Sequence, residues 1–308
     1  MTSAVVFAYH NVGVRCLSVL IDHGIDVKLV VTHRDNPDEN IWFDSVEKLA
    51  IANNIQVVMP DDANTPDFIC KIIALKPDFL FSFYYRMMLK PALLAAATRG
   101  AFNMHGSLLP KYRGRVPVNW AIIKGETETG ATLHEMVEKP DAGRIVDQEA
   151  IAILPDDNAQ QVFRNVTDAA VVALDRSLPA LIAGNAVLRA QDLSQGSYYG
   201  GRKPADGIIN WCESAQNIHN LVRAVSPPYP GATTTVAGQV IKLHRTQLAP
   251  AHFQHTKPGM LNVSSERVIA LCGDGRMLRI IDAEIDGQPH NEIMLATRLG
   301  VGVYALGN

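Results

Sequence analysis

Cysteine is scarce in this chain of 308 residues: Cys16, Cys70, Cys212 and Cys272 stand far apart, and none forms a C-x-x-C pair. That excludes a zinc ribbon and a disulfide framework, and it suits a reducing compartment, so a cytoplasmic location is expected. Long apolar runs are also missing. Ala169 to Leu174 is typical of the longest, well below the ~18 residues of a membrane span. Residues 1–9 carry no cationic n-region, and no signal peptide is expected. Positive charge is not in excess: 28 Lys and Arg against 31 Asp and Glu give a formal net charge of −3. A protein that binds mainly by neutralising a nucleic-acid backbone would show the reverse balance.

Several motifs are absent too. No G-x-G-x-x-G follows the first apolar run, which disfavours a nicotinamide dehydrogenase, and there is neither a G-x-x-x-x-G-K-[ST] loop nor an H-E-x-x-H helix. His134-Glu135 lacks the downstream cysteine pair of a zinc deaminase, and no metal is expected. The sequons Asn165-Val166-Thr167 and Asn262-Val263-Ser264 are chance matches in a cytoplasmic chain. Repeats and low-complexity tracts are lacking as well.

What is present is an alternation of strands and helices. Ala4 to Tyr9 reads as a buried strand, followed by a helix with Val14, Leu17, Leu20 and Ile21 on one face and Gly24 at its end. Val27 to Thr32 is a second strand. A helix is expected from Asp44, whose spacing to Glu47 fits a capping box. Gln56 to Met59, Phe79 to Phe83 and Ala101 to Met104 read as further strands. Thr65-Pro66 opens a helix through Leu75, and Lys90 to Arg99 forms one closed by Gly100. Pro117 to Lys124 reads as helix, Ala131 to Val137 and Ile145 to Ile153 as a strand pair, and Asn158 to Ala183 as a long helix with a kink expected at Pro179. This pattern predicts an α/β fold: a Rossmann-like, mostly parallel sheet with helices on both faces.

Composition changes at 190–207, where Ser, Gly, Tyr and Pro gather. We therefore divide the chain into a catalytic domain at 1–189, a linker at 190–207 and a C-terminal domain at 208–308. In the last, Ala215 to Val225 is an amphipathic helix. Ala232 to Val236, Gln239 to Thr246, Gly259 to Val263, Val268 to Cys272 and Met277 to Ala283 are short strands that suggest a small OB-like β-barrel or a sandwich.

The densest chemistry lies in Asn103-Met104-His105-Gly106-Ser107-Leu108-Leu109-Pro110-Lys111-Tyr112-Arg113-Gly114-Arg115, where a strand turns into a loop. Asn103 and His105 stand two residues apart, so on a strand they face the same side. Such a pair can address one ligand, or it can be an internally satisfied pair at a strand end. Asp141 belongs to a turn-forming Asp-Ala-Gly, and spacing alone does not bring it to His105.

These residues, with Asn119-Trp120, Gly125-Glu126-Thr127-Glu128-Thr129-Gly130 and Asp141-Ala142-Gly143, resemble the folate-dependent formyltransferase family over nearly the whole chain. The resemblance implies transfer of formyl from 10-formyltetrahydrofolate to an amine, with Asn103, His105 and Asp141 catalytic. It places the pterin by the turn at Arg86, Met87 and Met88, with Leu108 and Leu109 as apolar walls; Met87 and Met88 also read as ordinary core. Ser82-Phe83-Tyr84-Tyr85-Arg86, Lys111 to Arg115 and Gly200-Gly201-Arg202-Lys203-Pro204 resemble members that formylate the 4-amine of UDP-4-amino-4-deoxy-L-arabinose in lipid A modification and polymyxin resistance.

The diphosphate of such a substrate needs cations, for which Arg115 and Arg202 are the candidates, with Lys111 and Arg113 behind them. Tyr9, His10 and Asn11 follow the first strand and fall on the crevice side by topology. A formyltransferase for another UDP- or TDP-linked amino sugar is one alternative, and methionyl-tRNA formyltransferases are the other. The latter carry a basic loop after the second strand, whereas His33 to Glu47 here has Arg34 as its only Lys or Arg, against five carboxylates. The expected partners are therefore small molecules, with no nucleic acid and no membrane span.

Overall fold

The computed structural model describes residues 1–249 and 257–307. They divide into two compact units: Met1–Pro117 with Glu128–Ala152 and Arg164–Gly200, and Val118–Thr127 with Ile153–Phe163 and the chain from Gly201 onward. The sequence-based division has a linker at 190–207 between its two domains, whereas the second compact unit runs from Gly201 and also takes in the short stretches 118–127 and 153–163.

The first unit is built on β1 (Ser3–Ala8), α1 (His10–Asp22), β2 (Asp26–Val31), α2 (Val46–Ala52), β3 (Val57–Val58), α3 (Pro66–Leu75), β4 (Phe79–Phe83), α4 (Pro91–Leu94) and β5 (Gly100–His105). Along the chain these are followed by β6 (Arg113–Gly114), α5 (Pro117–Ile123), β7 (Glu128–Glu135), β8 (Ile145–Ala152), α6 (Ala159–Ala183) and β9 (Tyr198–Tyr199), of which α5 beyond Pro117 and the first turn of α6 group with the second unit. The main sheet has the order β3-β2-β1-β4-β5-β7-β8. Its first five strands are parallel, and β7 and β8 are antiparallel additions. All of β1 is buried, as a strand covered on both faces must be. Val5 and Phe7 join Ile72 of α3 and Leu93 of α4 in one cluster. By the two-residue period Ala4, Val6 and Ala8 face the other way, where α1 packs with Gly13 close to Ala8.

Two helix boundaries differ from expectation. Ser45, not Asp44, caps α2: its hydroxyl accepts from the Lys48 amide at 3.3 Å, while the Asp44 amide donates to Asn11 Oδ1 at 2.8 Å. The helix expected from Lys90 to Arg99 stops at Leu94. The Thr98 and Arg99 amides bond to the Pro77 and Asp78 carbonyls and draw the chain away, and Gly100, at φ 138°, starts β5 instead of ending a helix.

The second unit contains α7 (Ala215–Val225), β10 (Ala232–Val236), β11 (Gln239–Ala249), β12 (Met260–Val263), β13 (Val268–Leu271), β14 (Met277–Ile285), β15 (Gln288–Asn291), α8 (Glu292–Leu299) and β16 (Gly302–Gly307). Strands β10, β16, β12, β13, β14 and β11 close into a six-stranded antiparallel barrel through the β11–β14 pairing, which removes free edges. The amphipathic face of α7 packs on β11, and Trp211 is buried with its indole N–H donating to Thr234 Oγ1 at 2.9 Å. The last three elements were not marked by sequence pattern; β16 alternates half-buried with exposed positions, so its periodicity is weak. Among the described residues, no helix is long and apolar enough to cross a membrane.

Candidate active site

Strand β5 carries Asn103 and His105 to the carboxyl edge of the sheet. Its neighbour β7 pairs with it in a register that sets His134 opposite Asn103 and Thr132 opposite His105. Asn103 Nδ2 lies 3.2 Å from His134 Nε2. Beyond β7 the chain turns back, and Asp141, at φ 52°, drives its carboxylate between the two imidazoles. Asp141 Oδ1 is 3.6 Å from His105 Nδ1 and 3.5 Å from His134 Nε2, and Oδ2 accepts from the Gly114 amide at 2.8 Å. Gly143 is required two residues later, because a Cβ there would collide with the Glu135 carbonyl.

Carbonyl partners fix how the rings use their nitrogens. His105 Nε2 donates to the Tyr112 carbonyl at 2.8 Å, which leaves Nδ1 facing Asp141 at a distance too long for a good hydrogen bond. His134 Nδ1 donates to the Glu135 carbonyl at 2.7 Å, which leaves Nε2 for Asn103 and Asp141. Burial alone would raise the Asp141 pKa. The charge of His105, the hydrogen bond and charge of His134, and the Gly114 amide outweigh it and hold the carboxyl far below its usual range.

The loop after β5 is held as firmly. Buried Thr132 donates from Oγ1 to the Ser107 carbonyl at 2.6 Å, accepts from the Leu109 amide at 3.1 Å and accepts from Gln148 Nε2 at 2.9 Å. Ser107 Oγ donates to the Lys111 carbonyl at 2.6 Å. Leu109 is buried and Leu108 half-buried. Lys111 and Arg115 are exposed, whereas Arg113 is 8% exposed and its Nε has no partner among the described residues. Arg202 lies in the second unit, its guanidinium 4.9 Å above the Trp120 ring and its Nη2 donating to the Asp206 carbonyl at 2.6 Å.

The strand order reverses at β1, so the ends of β1 and β4 form the switch point at which α/β sheets bind ligands. Here Tyr9, His10 and Asn11 meet Tyr84, Tyr85 and Arg86. His10 and Tyr84 hold positive φ of 67° and 58°, an uncommon conformation for non-glycine residues. The segment 33–45 lines this spot with rings: His10 packs 4.0 Å from Phe43 and 4.6 Å from Trp42, and His33 stacks on Tyr85 at 4.1 Å. Tyr9 donates to Asp35 Oδ1 at 2.8 Å beneath the Arg86 guanidinium, which forks onto Glu39 with two bonds of 2.8 Å. Burial, then Arg86, lowers the His10 pKa to about 3 and the His33 pKa to about 4. The Arg86 amide donates to His33 Nε2 at 3.0 Å, and the Met88 carbonyl accepts from Asn64 Nδ2 at 2.9 Å. Met87 is half-buried against the core cluster, and Met88 is exposed.

Sequence reasoning overlooked His134, the Tyr112 carbonyl and the Gly114 amide. The signal for His134 was the strand at 131–137, but its partner on β5 depends on register. A cavity of about 700 Å³ lies wholly in the second unit, with Arg223, Arg245 and Arg279 on its walls. It holds none of the groups gathered around β5.

Two family models match the chain. Residues 9–178 match the formyl transferase family model, and residues 202–293 match the formyl transferase C-terminal domain model. Among solved structures, the N-formyltransferase of Helicobacter canadensis, in complex with folinic acid and dTDP-3-aminofucose, superposes with a TM-score of 0.71 at 21% identity, over 91% of this chain and 99% of that one. WlaRD, a sugar 3N-formyl transferase solved with dTDP and 5-N-formyl-THF, gives 0.72 at 21% identity, over 94% and 99%. A sugar N-formyltransferase from Shewanella sp. gives 0.62 at 18% identity, over 76% and 92%.

Proposed function

The chain belongs to the formyl transferase family, and we propose that it moves a formyl group from 10-formyltetrahydrofolate to the amine of a nucleotide-linked amino sugar. Within that class the proposed acceptor is the 4-amine of UDP-4-amino-4-deoxy-L-arabinose. The observation that carries the reading is the Asp141 carboxylate 3.6 Å from His105 Nδ1, with Asn103 on the same face of β5. The solved relatives' ligands, folates and dTDP or a dTDP-amino sugar, support the substrate class. The resemblance of Ser82 to Arg86 and Gly200 to Pro204 supports the UDP-arabinose acceptor.

Bound 10-formyltetrahydrofolate supplies the formyl carbon, and the sugar supplies the attacking amine. Asn103 has a second amide N–H beyond the one directed at His134, and it stabilises the oxygen on which negative charge develops. His105 Nδ1, the nitrogen without a short partner, takes the proton the amine loses and returns it to the departing nitrogen. Asp141 stays ionised, orients the imidazole and stabilises its cationic form. Half-buried Leu108, with buried Leu109 behind it, is the proposed apolar wall for the pterin. At the turn 86–88 the Arg86 amide and Met88 carbonyl already have internal partners, so a pterin edge there would use the remaining main-chain groups. Arg115 and Arg202 are the proposed diphosphate cations, and Tyr9, His10 and Asn11 the proposed sugar-nucleotide contacts.

Mass spectrometry tests the reading by looking for a folate-dependent formyl gain on UDP-4-amino-4-deoxy-L-arabinose beside TDP-linked amino sugars. Gain on the TDP sugars alone would reassign the acceptor. Formylation of charged initiator tRNA, lost steeply with salt, would replace the sugar reading altogether. Raised KM for UDP-sugar on charge reversal of Arg115 or Arg202 is expected, and an unchanged KM removes that residue from the diphosphate site.

A further inference from the structure

The stretch 189–200, which overlaps the linker expected at 190–207, is attached at both ends to the residues that hold His105 and Asp141. At one end Arg189 pairs with Ile145 by two backbone bonds, of 2.7 and 2.8 Å, just past the Asp141 turn. Two residues on, Gln191 Nε2 donates to the Asp141 carbonyl at 3.0 Å and to the Gly143 carbonyl at 2.6 Å. Both acceptors are carbonyls, so the amide orientation is fixed, and Gln191 Oε1 is left buried without a partner among the described residues.

At the other end Ser197 Oγ accepts from the Tyr112 amide at 2.9 Å, and the Ser197 carbonyl accepts from the Arg113 amide at 3.0 Å. Gly114 and Gly196 are required here, because a Cβ on either would strike the Tyr199 or Pro110 carbonyl across the gap. Tyr112 is the residue whose carbonyl holds His105, at φ 58°, and Asp141 sits at φ 52°. The strap therefore grips two left-handed residues, one behind each member of the proposed catalytic pair.

We propose that Gln191 is a positioning residue for the formyl-transfer site: its amide locks the turn that presents Asp141 to His105, and the strap 189–200 sets the separation of the pair. The proposal rests on the reading of Asp141 and His105 as catalytic, and it has a consequence independent of turnover. The Gly114 amide donates to Asp141 Oδ2 and lies outside Gln191's contacts, so it reports where the carboxylate is.

The experiment combines steady-state kinetics with NMR of the Gly114 amide in the full chain. Gln191→Met is expected to lower kcat about 10–100-fold, the range seen when the groups that orient metal-ligating side chains are removed, with little change in either KM. Combined with Asp141→Asn it should be no slower than Asp141→Asn alone, since both act through one carboxylate. In Gln191→Met the Gly114 amide should exchange faster and shift upfield. Gln191→Glu, which keeps the volume and removes the amide donor, serves if the Met variant does not fold. An unmoved Gly114 amide overturns the proposal, and so do rate losses that multiply in the double variant. If the wild type formylates no amino sugar, the proposed function falls, while the Gly114 signal still decides whether Gln191 positions Asp141.

Discussion

Asn103 and His134 face each other across the β5–β7 ladder, with Asn103 Nδ2 3.2 Å from His134 Nε2 and Asp141 Oδ1 3.5 Å from that same nitrogen. The amide proposed to meet the developing oxyanion is thus oriented by an imidazole that also touches the proposed acid–base pair. Asn103→Ala should lower kcat by about 10²–10³, the usual cost of one oxyanion donor. His134→Ala should lower it by about 10–100-fold, as for other supporting groups, with folate affinity nearly unchanged. Equal kcat in wild type and His134→Ala, measured at saturating substrates, would remove His134 from the site.

Asp141 gives a pH-dependent prediction with a definite sign. Its folded pKa is depressed, so its contribution to stability is full above the ordinary carboxylate pKa and is lost as pH falls toward the folded value. Asp141→Asn should destabilise the protein at pH 7 by about 1.5–3 kcal/mol, the range for hydrogen bonds to a charged group. The gap to wild type should narrow below about pH 4. Thermal unfolding across that range reads it directly, and a gap independent of pH would contradict the assignment.

Acid sensitivity should begin earlier, at the aromatic segment over the switch point. His10 and His33 have folded pKa values of about 3 and 4, below the unfolded histidine value. The unfolded chain therefore binds protons that the folded one refuses, and stability falls with pH from roughly 6.5 downward. Asn tolerates the left-handed conformation at position 10, so His10→Asn should flatten the slope of Tm against pH between about 6.5 and 4. If the slope is the same in both proteins, His10 is not buried as a neutral ring.

Arg86 and Glu39 form a forked pair, but both side chains are about two-fifths exposed. Exposed ion pairs contribute about 0–1 kcal/mol, so Glu39→Gln should hardly move Tm. Because the pair secures segment 33–45 beside Tyr9, the same variant should change KM for the nucleotide sugar more than it changes kcat. A loss of unfolding free energy beyond about 1 kcal/mol with unaltered KM would make the pair structural.

Local pattern was enough for much of this protein. The two-residue period put Asn103 and His105 on one face of a strand, Pro66 marked the start of α3, and the apolar runs of β1 and β4 announced a covered parallel sheet. The motif from Asn103 to Arg115, with Asp141-Ala142-Gly143, carried the resemblance to the family. These features depend on a few neighbouring side chains and backbone preferences, which the chain carries wherever it is placed.

What the sequence could not decide is how distant segments meet. Strand register made His134 the partner of Asn103, because a slip of one residue would turn it to the opposite face. Packing of the 137–144 turn brought Asp141 to His105, the reversal of strand order gathered the rings of 33–45 around Tyr9 and His10, and close approach at Gly114 and Gly196 fastened the stretch 189–200 to the loop after β5. Each of these depends on contacts between residues tens of positions apart, and such contacts are fixed only when the whole sheet and its loops pack together.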